Sequence, residues 1–186
     1  MSMIVDGQLK LTWQEFRHFP EDGNRHELID GEHVMAPAPG TGHQSVSKHI
    51  GYQLYRQFDE AGVGQVFSAP VDVELSEIDI VEPDLLVVLR DREHIISPSR
   101  IIGPPDLVVE ILSPSTASRD RELKRLLYAK SGVPVYWIVD SEAQEVSVFE
   151  SMGDGSLAYP EPRRFHEQVV YERGSLRVIV DLTKVW

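Results

Sequence analysis

The sequence predicts a mixed α/β fold, and three observations carry that prediction. Asp84-Leu85-Leu86-Val87-Val88-Leu89 and Leu107-Val108-Val109-Glu110-Ile111-Leu112 are nearly unbroken apolar runs, the pattern of strands covered on both faces at the centre of a sheet. Between residues 43 and 60, Val46, Ile50, Leu54 and Phe58 recur every four positions, with Tyr55 filling in, as an amphipathic helix requires. Asp30-Gly31 separates two strand-like halves within residues 25–35, the strongest short-range signal for a β-hairpin.

In chain order, a short helix begins at Thr12. Thr12 and Glu15 have capping-box spacing, Trp13, Phe16 and Phe19 follow at roughly helical period, and Pro20 and Gly23 end the helix. After the hairpin, Pro37, Pro39, Gly40 and Gly42 mark a loop before the long helix. Gly62 and Gly64 punctuate a change to strand candidates at 65–68, 71–75, 84–89 and 107–112. Residues 119–130 carry Leu123, Leu126, Leu127 and Tyr128 and read as a helix packed on the sheet, with Ser115 or Thr116 available to cap it. Gly132 stops that helix. Val135-Tyr136-Trp137-Ile138-Val139-Asp140 is a further buried strand, joined through 141–144 to the alternating strand 145–149. Strands near Phe165, at 169–171 and at 176–180 complete the domain.

A chain of 186 residues is expected to form one domain with a sizeable core. No apolar run approaches the roughly 20 residues of a membrane span, and Met1-Ser2-Met3-Ile4-Val5-Asp6 does not resemble a signal peptide. A cytoplasmic protein is therefore expected. The lack of cysteine excludes disulfides and thiolate metal sites. A net charge of −12 argues against a broad nonspecific nucleic-acid surface. The basic stretch is local: Arg119, Arg121, Lys124, Arg125 and Lys130 face only Asp120 and Glu122 in sequence. It reads equally as a solvated helix face or as a patch for a polyanion.

Glu110 interrupts one apolar run and Asp84 heads the other. A buried carboxylate must be paired, hydrogen-bonded or bound to metal, because desolvating it alone costs several kcal/mol or protonates it. If the two strands are neighbours, the carboxylates can share a hard divalent ion. Few oxygen ligands completed by water fit Mg²⁺ or Mn²⁺ better than zinc. Turn capping for Asp84 and an arginine pair for Glu110 are the structural alternatives.

The ordered series Pro83-Asp84, Pro105-Asp106-Leu107-Val108-Val109-Glu110-Ile111-Leu112-Ser113-Pro114-Ser115-Thr116, Lys124 with Tyr128, and Gly132-Val133-Pro134-Val135-Tyr136-Trp137-Ile138-Val139-Asp140 resembles the PD-(D/E)xK nuclease superfamily. Within it, the chain is similar to the Uma-type restriction-endonuclease-like group, as is His26-Glu27-Leu28-Ile29-Asp30-Gly31 near the start. The likeness covers about residues 10–150. It implies a restriction-endonuclease-like α/β fold, a central mixed sheet flanked by helices, with Asp84 and Glu110 as metal-binding acids. In the standard motif a lysine follows the second acid by two residues, but here Leu112 stands there. Lys124 is the replacement that the group's pattern implies, and Glu27 is a further site acid. The alternatives are an i,i+4 salt bridge of Lys124 with Asp120 and a cross-strand hairpin partner for Glu27.

The function implied is Mg²⁺- or Mn²⁺-dependent hydrolysis of DNA phosphodiesters, Lys124 assisting the attacking water. A homodimer would supply two sites for two strands. The competing expectation is a noncatalytic nuclease-fold module that binds nucleic acid or protein. His43 and Gln44 either face the cleft or cap the long helix. His26 and His33 flank the hairpin turn and are expected at the surface. Ser113-Pro114-Ser115-Thr116 has no base and orienting acid nearby and reads as a turn. Tyr136 and Trp137 are expected in the core.

Overall fold

In the computed structural model, residues 2–5, 7–20, 22–114 and 117–186 are described. The expected capping by Ser115 or Thr116 lies outside the described residues. The first elements are a hairpin of β1 (Met3–Val5) and β2 (Gln8–Lys10), then a single turn, α1 (Trp13–Phe16). Its capping box is present, with Thr12 accepting from the Gln14 amide and Glu15 accepting from the Thr12 amide. Strands β3 (Arg25–Ile29) and β4 (Glu32–Ala36) pair antiparallel across Asp30 and Gly31, whose φ values of 52° and 68° are those of a tight hairpin turn.

The long helix is α2 (Thr41–Phe58). There follow β5 (Gly64–Ser68), β6 (Val73–Ser76), β7 (Asp79–Val81) and β8 (Leu85–Leu89). A 3₁₀ segment, Arg90–Ile95, leads to the short β9 (Ile101–Ile102) and to β10 (Leu107–Ile111). Helical turns run from α3 (Ala117–Arg119) through a π-helical stretch, Asp120–Lys124, into α4 (Arg125–Lys130). The chain then forms β11 (Val135–Asp140), β12 (Glu145–Glu150), β13 (Arg163–Phe165), β14 (Gln168–Arg173) and β15 (Leu176–Asp181).

The central sheet is mixed and six-stranded, in the order β13-β12-β11-β10-β8-β5. Only β10 and β11 pair in parallel, and the helical segment 117–130 is the crossover between them. β8 and β10 are antiparallel neighbours, with Leu85 opposite Val109. All five residues of each are buried, as strands in the middle of a covered sheet must be. A second, five-stranded sheet has the order β4-β3-β7-β6-β9. Its β7 and β9, of three and two residues, are too short for a period-2 pattern to reveal.

The central sheet divides the core into two layers. On one face Val87, Val109 and Trp137 meet Ile50, Leu54 and Phe58 of α2 and Val169 and Val180 of the last hairpin. On the other, Leu86, Val108 and Tyr136 meet Leu127 and Tyr128 of the crossover and Ile29, Val73 and Val81 of the second sheet. Alternation along β10 puts Glu110 on this second face, beside Val108, and so between the two sheets. Helix α2 also holds the last hairpin by its edge. Gln57 bonds both the amide and carbonyl of Ile179, at 3.0 and 2.7 Å, and Gln53 does the same to Asp181, at 2.8 and 3.1 Å.

Candidate active site

Asp84, after Pro83, stands immediately before β8 and next to the end of β10. There it is buried, and its Oδ2 accepts the Ile111 amide at 2.8 Å and lies 3.0 Å from His43 Nε2. Arg25 Nη1 meets Oδ1 at 2.5 Å. Burial by itself raises the Asp84 pKa. The His43 hydrogen bond, the Arg25 charge and the Ile111 amide together outweigh it and hold this carboxyl below its ordinary value.

Glu110 has a different environment. Lys124 Nζ and the Tyr128 hydroxyl both donate to its Oε1, at 2.8 and 2.7 Å. Burial is the main force on this carboxyl and pushes its pKa up to about 8; Lys124 opposes that, while Asp120, Asp84 and Glu27 reinforce it. Lys124 is itself buried at 4% exposure, an uncommon position for an ammonium. Burial lowers its pKa, but the surrounding charges of Glu110, Glu27 and Asp120 prevail and raise it above the ordinary lysine value. It therefore carries its proton at neutral pH.

The third acid comes from the second sheet. Glu27, on β3, lies 2.7 Å from Lys124 Nζ through Oε1, which also accepts the Glu82 amide at 2.9 Å. The structure thus brings Asp84, Glu110, Lys124 and Glu27 to the walls of one cavity of about 230 Å³, shared with Arg25 and His43. The i,i+4 contact of Lys124 with Asp120 exists at 3.9 Å but is the longest of its three acidic contacts. Leu112 packs with the apolar layer instead.

Lys124 ends a π-helical stretch of the crossover and meets the strand acid from there. Asp120 and Lys124, four apart, share the inward face of this stretch and are its buried residues. The Tyr136 hydroxyl donates to the Asp120 carbonyl at 3.0 Å, anchoring the widened turn to β11. The basic stretch is consequently no open cationic face. Arg119 approaches Glu27 at 3.8 Å, Arg121 pairs with Asp140 at 2.7 Å, and Arg125 lies over the Phe149 ring at 5.6 Å.

Arg25 is a site residue that sequence reasoning did not single out. It sits two positions before Glu27 on the same strand, hence on the same face, and that spacing was the available signal. Besides Asp84 it contacts Glu82, at 3.0 Å; burial dominates there too and raises the Glu82 pKa to about 7 against the pull of Arg25. His43 faces the cavity and does not cap α2, whose first residue is preceded by Gly40 with no side-chain cap. Its Nε2 is 3.0 Å from the Ile111 carbonyl as well as from Asp84, and its buried Nδ1 has no hydrogen-bond partner. His26 and His33 stand apart from this cluster, stacked on each other with nitrogens 2.9 Å apart.

The carboxyl groups of Glu27, Glu82, Asp84, Glu110 and Asp120 share the cluster with the fixed cations Arg25, Arg119 and Lys124, and the raised pKa values of Glu82 and Glu110 mean that part of this acid is protonated at neutral pH without a further cation. Among the described residues no three His, Asp or Glu side chains form a metal cage by themselves. A pair of carboxylates with water completing the shell is what Mg²⁺ accepts, since it sheds water reluctantly and needs few protein ligands. The oxygen-donor chemistry of Asp84 and Glu110 fits such an ion.

Comparison with known proteins bears on the family and the fold. The family model Uma2, described as "Putative restriction endonuclease", matches residues 13–175. An uncharacterized protein of Synechocystis is 28% identical over 149 residues, covering 78% of this chain and 77% of its own length. The fold matches the crystal structure of a protein from Anabaena variabilis described as "a putative nuclease belonging to DUF820", with a TM-score of 0.76, 20% identity, and coverage of 94% of this chain and 97% of the other.

Proposed function

Because this chain belongs to the Uma2 family, we propose that it is a divalent-metal-dependent endonuclease that hydrolyses DNA phosphodiester bonds. The observation that carries the proposal is the meeting of Lys124 Nζ with Glu110 at 2.8 Å in a cavity that Asp84 also lines. Asp84 and Glu110 would hold Mg²⁺ or Mn²⁺. Such an ion, when bound, lowers the pKa of water and stabilises charge on a phosphoryl oxygen.

The remaining steps belong to the protein. Lys124, kept protonated by its acidic neighbours, orients the attacking water and places positive charge where the phosphate gains negative charge. Glu27 fixes the ammonium from the side opposite Glu110. Arg25 neutralises Asp84 in the arrangement described here and lines the cavity, where it would grip an incoming phosphate on exchanging its acidic partners. One site cuts one strand, and a homodimer would bring the second site that breaking a duplex takes.

The test is incubation of supercoiled plasmid and of circular single-stranded DNA with the protein in Mg²⁺ or Mn²⁺. Metal-dependent cutting is expected, with a fall of about 100-fold or more in Asp84→Asn and Glu110→Gln. Cutting that survives both substitutions, or no cutting of either DNA by the native chain, would reject the proposal. A chain that takes up no Mn²⁺ in calorimetric titration would instead fit a noncatalytic module.

A further inference from the structure

Next to the catalytic cavity, and sharing Arg25, His43 and Asp84 with it, runs an open groove of about 1690 Å³. That volume exceeds the several hundred Å³ usual for a small-molecule pocket, and suits a polymer that passes across the surface. One wall is the face of α2 opposite its buried stripe. Lys48, Tyr52 and Tyr55 line the groove there at i, i+4 and i+7. The two tyrosines are 62% and 48% exposed, so each ring is free to be covered. Gly51 lies between them and the sheet; a Cβ there would come within 3.2 Å of Leu85. The helix can thus press close to the strand that follows Asp84.

Trp13 and Arg17 also line the groove. Trp13 is already covered by the Arg100 guanidinium, 4.1 Å from its ring centre. Lys48 and Arg17, by contrast, have no acidic partner among the described residues. The groove thus offers two exposed aromatic rings and two cations without an acidic partner among the described residues, beside Asp72 and Glu82, and it shares Asp84 with the proposed phosphodiester-cutting centre.

We infer that this groove binds single-stranded DNA, with bases stacked on Tyr52 and Tyr55 and the backbone following Lys48 and Arg17 towards Asp84. The inference rests on the nuclease reading for its choice of nucleic acid. Charge selects the strand over the duplex. A duplex presents one negative charge per about 1.7 Å of axis and is held by neutralising many phosphates, whereas this chain has a net charge of −12 and few unpaired cations in the groove. Single strands add to charge a contribution that a duplex does not offer, base stacking on aromatic rings. One active site is also sufficient for a single strand.

The experiment is fluorescence anisotropy with the full chain in EDTA, using a labelled oligothymidine and a blunt duplex of equal length. The single strand is expected to bind about tenfold tighter or more, and Tyr52→Ala/Tyr55→Ala to weaken it about tenfold or more. Tyr52→Phe/Tyr55→Phe, which keeps the rings, is expected to retain binding. Both positions are exposed, so circular dichroism should be unchanged in all variants. Duplex binding equal to or tighter than single-strand binding, indifference to the alanine pair, or no binding at all would overturn the inference. Single-strand binding through the tyrosines without cutting in Mg²⁺ or Mn²⁺ would leave it standing and remove the nuclease reading. Cutting of both DNAs with no effect of the tyrosines would do the opposite.

Discussion

Lys124 Nζ lies 2.7 Å from Glu27 Oε1 and 2.8 Å from Glu110 Oε1, so a single ammonium bridges an acid of the second sheet and an acid of the central one. Neither carboxylate has much access to water. Lysine at this position therefore serves the joint between the sheets as well as any chemistry between them.

Replacing Lys124 with methionine is expected to lower stability by about 3–5 kcal/mol, because removal of one partner leaves buried carboxylates uncompensated. Urea unfolding measures this. Glu27→Gln/Lys124→Met should recover part of the loss, since the double change removes charge from both sides. Arginine at 124 should restore neither stability nor cutting, as a planar guanidinium does not fit where a compact ammonium sits.

Stability without metal should fall as pH rises across the neutral range. Glu82 and Glu110 have pKa values raised from 4.5 to about 7 and about 8. The folded chain thus holds protons that the unfolded chain releases near 4.5. Their contribution is complete below that value and is lost as pH climbs through 7 and 8. Asp84 acts in the opposite sense, its lowered pKa costing stability only in acid, as pH falls below its ordinary 3.8. Urea midpoints in EDTA should be lower at about pH 8.5 than at about pH 5.5, with Glu82→Gln flattening the slope. A midpoint that rises over this interval would contradict the assignment.

The glutamine pairs of α2 stand in for a neighbouring strand along the edge of β15. Substituting Gln53 or Gln57 with leucine strips an amide and a carbonyl of their partners. Each change should cost about 1–3 kcal/mol and speed hydrogen exchange at Asp181 or Ile179 ahead of the central strands. Equal exchange rates in variant and native chain would argue against this role.

Gly31→Ala tests the first hairpin. The backbone there has φ of +68°, and a new Cβ would fall 2.5 Å from Lys10 Cβ. With both strain and overlap to relieve, a loss of about 1–3 kcal/mol is expected. Thermal unfolding reads it directly.

Much of this architecture was legible because its signals are local. Asp30-Gly31 announced its hairpin, the four-residue recurrence of Val46, Ile50, Leu54 and Phe58 announced α2, and two unbroken apolar runs announced β8 and β10. The acids stood out for the same reason, as charges within those runs. What escaped notice depends on distance in sequence. Nothing near β7 or β9 signals a second sheet, whose strands are brief and half-covered. Arg25 becomes important only because Asp84, 59 residues away, folds against it. The π-helical widening at Asp120–Lys124 likewise has no residue signature, since it arises from how the helix packs on Tyr136 and Glu110.

The joint between the sheets has a bearing on when chemistry can begin. Glu27 and Arg25 come from β3, Asp84 from the edge of β8, Glu110 from β10 and Lys124 from the crossover beyond it. No contiguous fragment shorter than residues 25–124 contains them all, and neither sheet alone brings them together. The constellation comes into being only with the docking of the two halves. Incomplete chains emerging from synthesis, or partly unfolded ones, therefore carry its parts unassembled.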